Sequence, residues 1–284
     1  MNLEDLRCQI DAIDGEILKR INRRAALALQ IGQIKKQNGK EIYVPSREKE
    51  VFRKLLKINT GPLDEKAVRA IYREIISASI ALEKPLKIAC LEPAGSLSHR
   101  AAREHFGASL EYQPVASFAD LFAIVKQGEA DYAVIPFETP AEGLCGTALL
   151  LLADAQLGII SQVSLEEPVS SASPSDQDQE EKLAHCVVLG ANPLPFSEGG
   201  KYKSSFVLGL PDQPVELSRV QEAFQSHGLS VTRMEAFSSQ PAEPHVFLEV
   251  AGHCDEMAFQ WALAKLRGEE ITVQWLGSYP AAAS

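Results

Sequence analysis

Arg24 stands where the helical pattern of the N-terminal region calls for an apolar side chain. Ile10, Ile17 and Ile31 share its seven-residue spacing. An unpaired charge on a buried helix face costs several kcal/mol, so Arg24 needs a partner. Lys35, eleven residues further on, returns to nearly the same face at roughly 100° per residue, about 16 Å along the helix axis. Two long cations on one face can hold a small anion from both ends, which predicts an anion site inside a helical core.

An alternative interpretation is that Arg24 pairs with a core carboxylate, such as Glu48 or Glu74, and only supports the fold. The number of polar residues on predicted inner faces favours a binding site. Buried ion pairs are seldom more stabilising than apolar residues of the same size, so structural pairing alone does not account for so many. The residues expected to point inward are Arg24, Lys35, Arg47, Glu48, Ser79 and Glu83.

Three helices are predicted to position these side chains. The first runs from Leu3 to Gln37 with Asn2 as its N-cap, the second begins at Ser46 directly after Pro45, and the third follows an Asp64 cap. The first helix is too long to be stable alone and must lie against partners along its length. A dimer is therefore expected.

Charge is distributed unevenly over the 284 residues. The net charge is −10, but residues 1–84 carry 17 Lys/Arg against 12 Asp/Glu, a net +5, and the other 200 residues carry 11 against 26, a net −15. A modestly positive first region suits a small anionic substrate. The basic residues form no dense cluster interleaved with aromatics, which argues against nucleic-acid binding.

Composition also bears on location and metal binding. No apolar run is long enough to span a bilayer and no signal peptide precedes the first helix, so a cytoplasmic protein without membrane contact is predicted. Five cysteines are scattered and never form a CxxC pair, and the six histidines show no HExxH spacing. Neither a disulfide framework nor a metal site is expected.

Residues 3–84 resemble the all-helical chorismate mutase domain in the segments LRCQIDAIDGEIL, INRRAALALQIGQIK, PSREKEV and EIISASIALEKP. The resemblance implies an intertwined homodimer that rearranges chorismate to prephenate without a cofactor or metal. Such a site must hold the substrate in its compact conformer and stabilise charge on the ether oxygen. It further implies carboxylate binding by Arg7 of one protomer with Arg24 and Arg47 of the other, hydrogen bonds to the ether oxygen from Lys35 and Glu83, and acceptance of the ring hydroxyl by Glu48 with Ser79 in support.

Two positions depart from the family pattern. Val44 stands where many relatives carry an acidic residue, so recognition of the hydroxyl falls more on Glu48. Glu83 stands where other members carry Gln, and only a protonated Glu83 can donate a hydrogen bond. Activity is therefore expected to fall as pH rises.

From Lys87 onward the chain alternates strands and helices and resembles prephenate dehydratase, in EPAGSLSHRAAREHFG and ADYAVIPFETPAEGLCGTALLLL. The last part reads β-α-β-β-α-β and resembles the amino-acid-binding ACT module of the same fusion enzymes. The whole chain thus resembles bifunctional chorismate mutase–prephenate dehydratases. The predicted fold is an all-α mutase domain (1–84), a truncated α/β dehydratase-like lobe (85–198) with a polar linker (170–182), and an α+β ferredoxin-like ACT domain (199–284).

The dehydratase activity is expected to be absent. The family's second lobe would be replaced by SSASPSDQDQEEK, after which the strand LAHCVVLG returns to the first lobe. The family's Thr-Arg-Phe signature falls on Ala184-His185-Cys186 and its Glu-Asn pair on Glu138-Thr139. Ser98 and His99, which could be taken for an acid–base pair, are expected to cap a helix instead.

Two alternatives remain open for the chain as a whole. Dimer contacts that rebuild a cleft would make it a bifunctional enzyme forming phenylpyruvate. A chain whose acidic dehydratase-like surface binds another aromatic-pathway enzyme would be a regulatory or scaffold protein.

Phenylalanine regulation is expected to be weak or absent. The effector-binding Gly-Ala-Leu turn of phenylalanine-sensing relatives falls on Val215-Glu216-Leu217, and their Glu-Ser-Arg-Pro loop falls on Glu235-Ala236-Phe237-Ser238. Glycine lets a backbone approach a ligand closely and valine does not. Phe237 is bulky enough to fill the effector pocket.

Overall fold

The computed structural model describes residues 2–39, 41–166, 183–196, 200–210, 217–238, 244–268 and 271–281. The chain forms two compact units, one of Met1–Leu86 with His105–Glu111 and one of Lys87–Glu104 with Tyr112–Ser284. The predicted linker at 170–182 lies outside the described residues. Among those residues, no helix combines the length and apolarity needed to cross a bilayer.

The first unit is built on three helices, α1 (Leu3–Gln37), α2 (Pro45–Ile58) and α3 (Glu65–Glu83). Asn2 caps α1 in a capping box with Asp5, whose backbone N donates to Asn2 Oδ1 over 2.8 Å. Asp64 caps α3 as predicted, accepting from the backbone N of Ala67. Helix α2 begins at Pro45 rather than Ser46, because proline is preorganised for the first helical position, where a missing N–H costs nothing.

Helix α1 carries a long row of exposed apolar side chains. It packs against α3, yet Gly32 is its one buried residue among those the structure describes. Exposed apolar residues of α1 include Leu3, Leu6, Ile10, Ile13, Ile17, Leu18, Leu27, Ile31 and Ile34. The sequence predicts a partner from the length of this helix, and an exposed apolar row is typical of a surface that packs against another helix.

The second unit contains two sheets, and the first alternates strands with helices. Its strand order is β2-β1-β3-β6-β5, with β4 paired to β3. Strand β1 runs parallel to β3, while β6 lies antiparallel between β3 and β5. The strand predicted over LAHCVVLG is thus β6, and it returns to this sheet. The elements are β1 (Lys87–Leu91), α4 (Leu97–Phe106), β2 (Glu111–Val115), α5 (Phe118–Lys126), β3 (Tyr132–Thr139), β4 (Gly143–Leu144), α6 (Gly146–Ala155), β5 (Gly158–Glu166) and β6 (Leu183–Gly190).

The second sheet is antiparallel with strand order β10-β7-β9-β8. With two helices, its element order is the ferredoxin-like β-α-β-β-α-β pattern predicted from the sequence. The elements are β7 (Tyr202–Gly209), α7 (Leu217–Gln225), β8 (Val231–Ser238), β9 (Pro244–Ala251), α8 (Met257–Gly268) and β10 (Thr272–Pro280).

The two sheets of the second unit share one hydrophobic core. Val207, Phe247 and Leu276 of the second sheet belong to the same buried cluster as the apolar residues of β1, β3 and β6. Gly277 has φ +150°, and a Cβ there would lie 2.3 Å from the carbonyl oxygen of Ile159. Strands β10 and β5 therefore meet backbone to backbone, a contact that only glycine permits. The domain boundaries drawn at 84 and 198 stay a prediction.

Candidate active site

Lys35 of α1 and Glu83 of α3 are near enough for each charge to act on the other group's pKa. A Cβ on Gly32 would lie 2.9 Å from both Cγ and Oε2 of Glu83, so the carboxyl group rests directly on the α1 backbone. Oε2 of Glu83 is buried and accepts no hydrogen bond from the described residues. Burial raises the pKa of Glu83, against the opposing charges of Lys35 and Arg24. These features favour a protonated Glu83.

The ammonium group of Lys35 is held in place by a backbone carbonyl group. Its Nζ donates to the carbonyl oxygen of Ile42 over 2.6 Å. Burial lowers the pKa of Lys35, the charge of Glu83 raises it, and the nearby Arg47 lowers it again. A cation and an acid therefore sit side by side, both able to donate to an oxygen placed between them.

Arg24 is oriented by α3. Its Nη1 donates to Ser79 Oγ over 2.7 Å, and that buried hydroxyl donates in turn to the carbonyl oxygen of Ile75 over 2.8 Å. Glu48 and Glu74 are not hydrogen-bond partners of this guanidinium, but its charge acts on the pKa of Glu83. Glu74 instead accepts from the backbone N of Ala108 over 2.9 Å.

Glu48 lies at the start of α2 beside Tyr43. Burial raises the pKa of Glu48 to about 7, while a hydrogen bond from Tyr43 and the charge of Arg73 lower it. Tyr43 is only 4% exposed, and its hydroxyl lies 2.5 Å from Nε2 of His105. The carboxyl group expected to recognise the substrate hydroxyl thus changes its charge near neutral pH.

The two remaining predicted arginines are exposed in the single chain. Arg47 has 62% of its side chain exposed and pairs with Glu50 over 2.6 Å, although it is near enough to Lys35 to act on its pKa. Arg7 has 64% exposed and lies 3.8 Å from Glu4. Seventeen residues separate Arg7 from Arg24, which is about 25 Å along α1. Within one chain Arg24 bonds to Ser79, and Arg24, Lys35, Arg47 and Glu83 are near enough to act on one another's pKa values. Glu48 lies beside Tyr43 and Arg73, and Arg7 lies beside Glu4.

Sequence reasoning missed Gly32, Tyr43 and His105. A glycine inside a helix costs about 1 kcal/mol relative to alanine, so Gly32 offered a usable signal of close approach. Tyr43 and His105 offered none, since their contact joins positions 62 residues apart.

The positions that resemble the dehydratase signature form part of a structural network. Glu138 lies at the end of β3 opposite His185 of β6, and both of its oxygens accept from Arg233 of β8, over 2.7 and 2.8 Å. This paired hydrogen bond lowers the pKa of Glu138. Arg233 also binds Glu235. Glu138 is therefore a fixed carboxylate held by the second sheet.

His185 is surrounded by hydrogen-bonding side chains. Its Nε2 lies 4.0 Å from Glu138 Oε2, and its Nδ1 lies 2.9 Å from Ser164 Oγ and 3.2 Å from Gln162 Nε2. Burial lowers the pKa of His185 despite the charge of Glu138. Its neighbours in the signature, Ala184 and Cys186, are fully buried, and Thr139 accepts from the backbone N of Glu142.

The prediction that Ser98 and His99 cap a helix is wrong for Ser98, whereas the Nδ1 of His99 accepts from the backbone N of Gly95 over 3.0 Å at the start of α4. Ser96 is the capping residue, since its Oγ accepts from the backbone N of His99. Ser98 is buried and joins α4 to the sheet, accepting from Leu91 N over 2.8 Å and donating to Val134 O over 2.6 Å. The sequence did not distinguish two serines spaced two residues apart.

The predicted effector positions are described only in part. Val215 and Glu216 lie outside the described residues, and Leu217 begins α7 and packs on the core of the second sheet. Ala236 and Ser238 pair with β9. The Phe237 ring lies against α6, where a Cβ on Gly146 would come within 2.8 Å of it, and it stacks on His245 at 5.7 Å.

Two family models match the chain. One, described as chorismate mutase type II, matches residues 6–84, and the other, described as prephenate dehydratase, matches residues 88–181. A bifunctional chorismate mutase/prephenate dehydratase of Aquifex aeolicus (strain VF5) is 30% identical over 357 residues, covering 99% of this chain and 98% of the relative. Since this chain has 284 residues, at least 73 of those positions (357 less 284) have no residue of this chain opposite them.

Solved structures share the fold of about 70% of the chain. Prephenate dehydratase from Streptococcus mutans covers 70% of this chain and 100% of its own length, with a TM-score of 0.55 and 22% identity. GqqA, described as a novel type of quorum quenching acylase, covers 69% of this chain and 95% of its own length, with a TM-score of 0.56 and 22% identity. The family models and the nearly full-length relative place this chain in the bifunctional chorismate mutase/prephenate dehydratase family.

Proposed function

We propose that the helical unit is a chorismate mutase, converting chorismate to prephenate. The observation that carries the proposal is the apposition of Lys35 and Glu83 at Gly32, with Arg24 held beside them by Ser79. The substrate is a dicarboxylate, and the planar guanidinium groups of Arg24 and Arg47 suit its carboxylates. The reaction breaks a C–O bond as a C–C bond forms, so the site needs only to confine the substrate and stabilise the oxygen.

Each candidate residue has one task in this mechanism. Lys35 and protonated Glu83 donate hydrogen bonds to the ether oxygen as negative charge grows there. Glu48, in its ionised form, accepts from the ring hydroxyl. Ser79 fixes the orientation of Arg24 through its own bond to the α3 backbone.

The active species is proposed to be a homodimer whose sites each take Arg7 from the second protomer. The exposed apolar row of α1 and the position of Arg7, about 25 Å from Arg24 along the same helix, support this arrangement. Mixing two inactive proteins, one carrying Arg7→Ala and one carrying Arg24→Ala, tests it. Random exchange gives heterodimers with one intact site, so roughly a quarter of wild-type activity should return.

Two results of that mixing experiment are informative. Recovery after co-refolding supports a site shared between protomers. No recovery, with light scattering showing that dimers had exchanged, contradicts it and places Arg7 in its own chain's site.

The dehydratase activity is proposed to be absent. The deficit of at least 73 positions relative to the Aquifex protein supports loss of a lobe, and a cleft lacking one wall cannot exclude water. Glu138 is also committed to Arg233 rather than open to a substrate. The bifunctional alternative is supported by relatives that align with nearly the whole chain and are named as bifunctional chorismate mutase/prephenate dehydratases.

Two assays on the purified full-length chain decide between these functions: consumption of chorismate, and formation of phenylpyruvate from supplied prephenate. Chorismate turnover without phenylpyruvate beyond spontaneous breakdown is expected. Enzymatic phenylpyruvate formation would contradict the loss of dehydratase activity, and no turnover of either substrate would leave the scaffold alternative.

Weak or absent phenylalanine regulation is proposed for the C-terminal sheet, which we take to be an ACT-like domain. Its support is Phe237, whose ring is packed onto α6 at a position assigned to effector binding in relatives. Isothermal titration calorimetry with phenylalanine is expected to show no saturable binding. Saturation at physiological phenylalanine concentrations would contradict the proposal.

A further inference from the structure

The helical unit contains a segment from the dehydratase-like part of the sequence. Residues His105–Glu111 belong to this unit, although the prephenate dehydratase family model covers residues 88–181. The segment comprises the end of α4 and the turn after it. The mutase-like region thus includes residues that its own family model, which ends at residue 84, does not cover.

This segment is bonded to helix α3 close to the candidate site. The backbone N of Ser109 donates to Ser77 Oγ over 3.1 Å, and Ser77 is fully buried two residues before Ser79. Gly107 has φ +77°, and a Cβ there would lie 2.5 Å from Cβ of Ser77. The turn is therefore fitted closely to the helix that holds Arg24.

The same segment also contacts Tyr43. Nε2 of His105 lies 2.5 Å from the Tyr43 hydroxyl, and the rings of His105 and Phe106 pack on the Tyr43 ring at centroid distances of 5.8 and 5.0 Å. While Glu48 is ionised it can only accept, so its hydrogen bond with Tyr43 uses the one hydroxyl proton of Tyr43. The hydrogen bond with His105 must then run from the imidazole N–H to the tyrosine oxygen.

The chain of donors therefore points toward the substrate-binding carboxyl group. Burial and the charge of Lys49 lower the pKa of His105 to about 3, so the imidazole stays neutral and keeps a single N–H under assay conditions. A hydroxyl that accepts one hydrogen bond becomes a better donor to the next group.

We propose that His105 is a positioning residue of the mutase site, which orients Tyr43 so that Tyr43 donates to Glu48. This inference rests on the proposed mutase function. The dehydratase-like segment then has a task in mutase catalysis that does not require dehydratase chemistry. It would be retained because it completes a hydrogen-bond chain that the first 84 residues cannot complete alone.

The test is a pH series of kcat and KM for chorismate with full-length variants. His105→Phe and Tyr43→Phe remove the chain, His105→Gln keeps an amide N–H near the Nε2 position, and His99→Phe is the matched control on the same helix. Without the Tyr43 bond, Glu48 ionises at higher pH, while Arg73 still acts on it. The acid limb of 1/KM should move upward by about half to one pH unit in His105→Phe and Tyr43→Phe.

At pH 7 the same two variants should raise KM by roughly threefold to tenfold and change kcat less than twofold. His105→Gln should restore most of the wild-type KM, and His105→Phe should add nothing to Tyr43→Phe in the double variant. If His105→Phe proves unstable, His105→Asn replaces it, because its shorter amide cannot reach the Nε2 position. Circular dichroism melts identify such instability.

The outcomes separate this inference from the proposed function. If the wild-type enzyme is active and the pH profiles of 1/KM in the His105 variants are not shifted, the positioning role of His105 is contradicted and the mutase function is not. A loss of kcat without a pH shift also overturns it, since that result indicates general disruption. An inactive wild-type chain removes the mutase function and this inference with it.

Discussion

Glu83 is the residue at which this site departs most from a simple anion-binding site. Its carboxyl group lies beside Lys35, rests on Gly32 and has an oxygen that accepts no hydrogen bond from the described residues. An ionised carboxylate in that position would repel the charge that develops on the ether oxygen. The folded-state pKa of Glu83 is raised by burial, so the donating form persists above the pH at which a free glutamate ionises.

The expected pH dependence follows from the direction of that shift. Below its folded-state pKa Glu83 is protonated and donates, and above that pKa the donor is lost, so kcat should fall as pH rises. Glu83→Gln should flatten the fall, because an amide donates at every pH. The measurement is kcat from acid to mildly alkaline pH, with Glu65→Gln, at the exposed start of α3, as control. A level wild-type profile would refute the role of Glu83.

Residue types alone predicted much of this site. Arg24, Lys35, Ser79 and Glu83 come together as the helical spacing indicated. The spacing could not show that Ser79 rather than a carboxylate would bind Arg24. That choice depends on side-chain geometry across two helices.

At the level of elements, the helix ends could be predicted from the sequence because capping contacts join residues close together in the chain. Asn2 and Asp64 bond to amides three residues ahead, and such contacts are fixed by types and spacing. The start of α2 differed by one residue, since a proline can close a turn or open a helix. The cap by Ser96 is also local, but the burial of Ser98 depends on Val134, 36 residues further along the chain, and could not be predicted.

Gly32 gives a prediction about α1. Gly32→Ala should raise helix propensity by about 1 kcal/mol, yet the added methyl lies 2.9 Å from Glu83 and must displace its side chain. We expect kcat to fall roughly tenfold or more, with thermal stability unchanged or slightly higher. Gly15→Ala is the matched control, because nothing lies within 4 Å of its added methyl in the single chain. Equal activity in the two variants would show that catalysis does not depend on the close packing of the Glu83 side chain against Gly32.

At the scale of the whole molecule, the second unit is held together by a shared core and a polar network. Glu138 and Arg233 join the two sheets by a two-point ion pair, and Tyr279 joins them by its buried ring. Glu138, which the sequence assigns to the dehydratase signature, therefore takes part in joining the two sheets. This contact cannot be predicted from sequence, because Arg233 and Glu138 lie 95 residues apart.

A substitution at Gly277 tests whether close backbone contact between these sheets stabilises the second unit. Gly277→Ala places a methyl 2.3 Å from the Ile159 carbonyl oxygen at a φ that L-residues rarely adopt. The second unit should lose about 3 kcal/mol or more of unfolding free energy, measured by denaturant titration. Gly268→Ala, where nothing lies within 4 Å of the methyl, should change stability by less than about 1 kcal/mol. Similar losses in both variants would contradict a backbone contact at Gly277.

The shared core has a consequence for how the second unit opens. One buried cluster contains side chains from the strands of both sheets. The first sheet contributes Ala89, Ile135 and Val187, and the second contributes Val207, Phe247 and Leu276. Neither sheet can separate from the other without exposing that cluster to water. Amide hydrogens in β3 and β6 should therefore exchange with deuterium at the same opening free energy as those in β7 and β9. A deletion that removed the first sheet would leave the second with a bare apolar face, prone to aggregation.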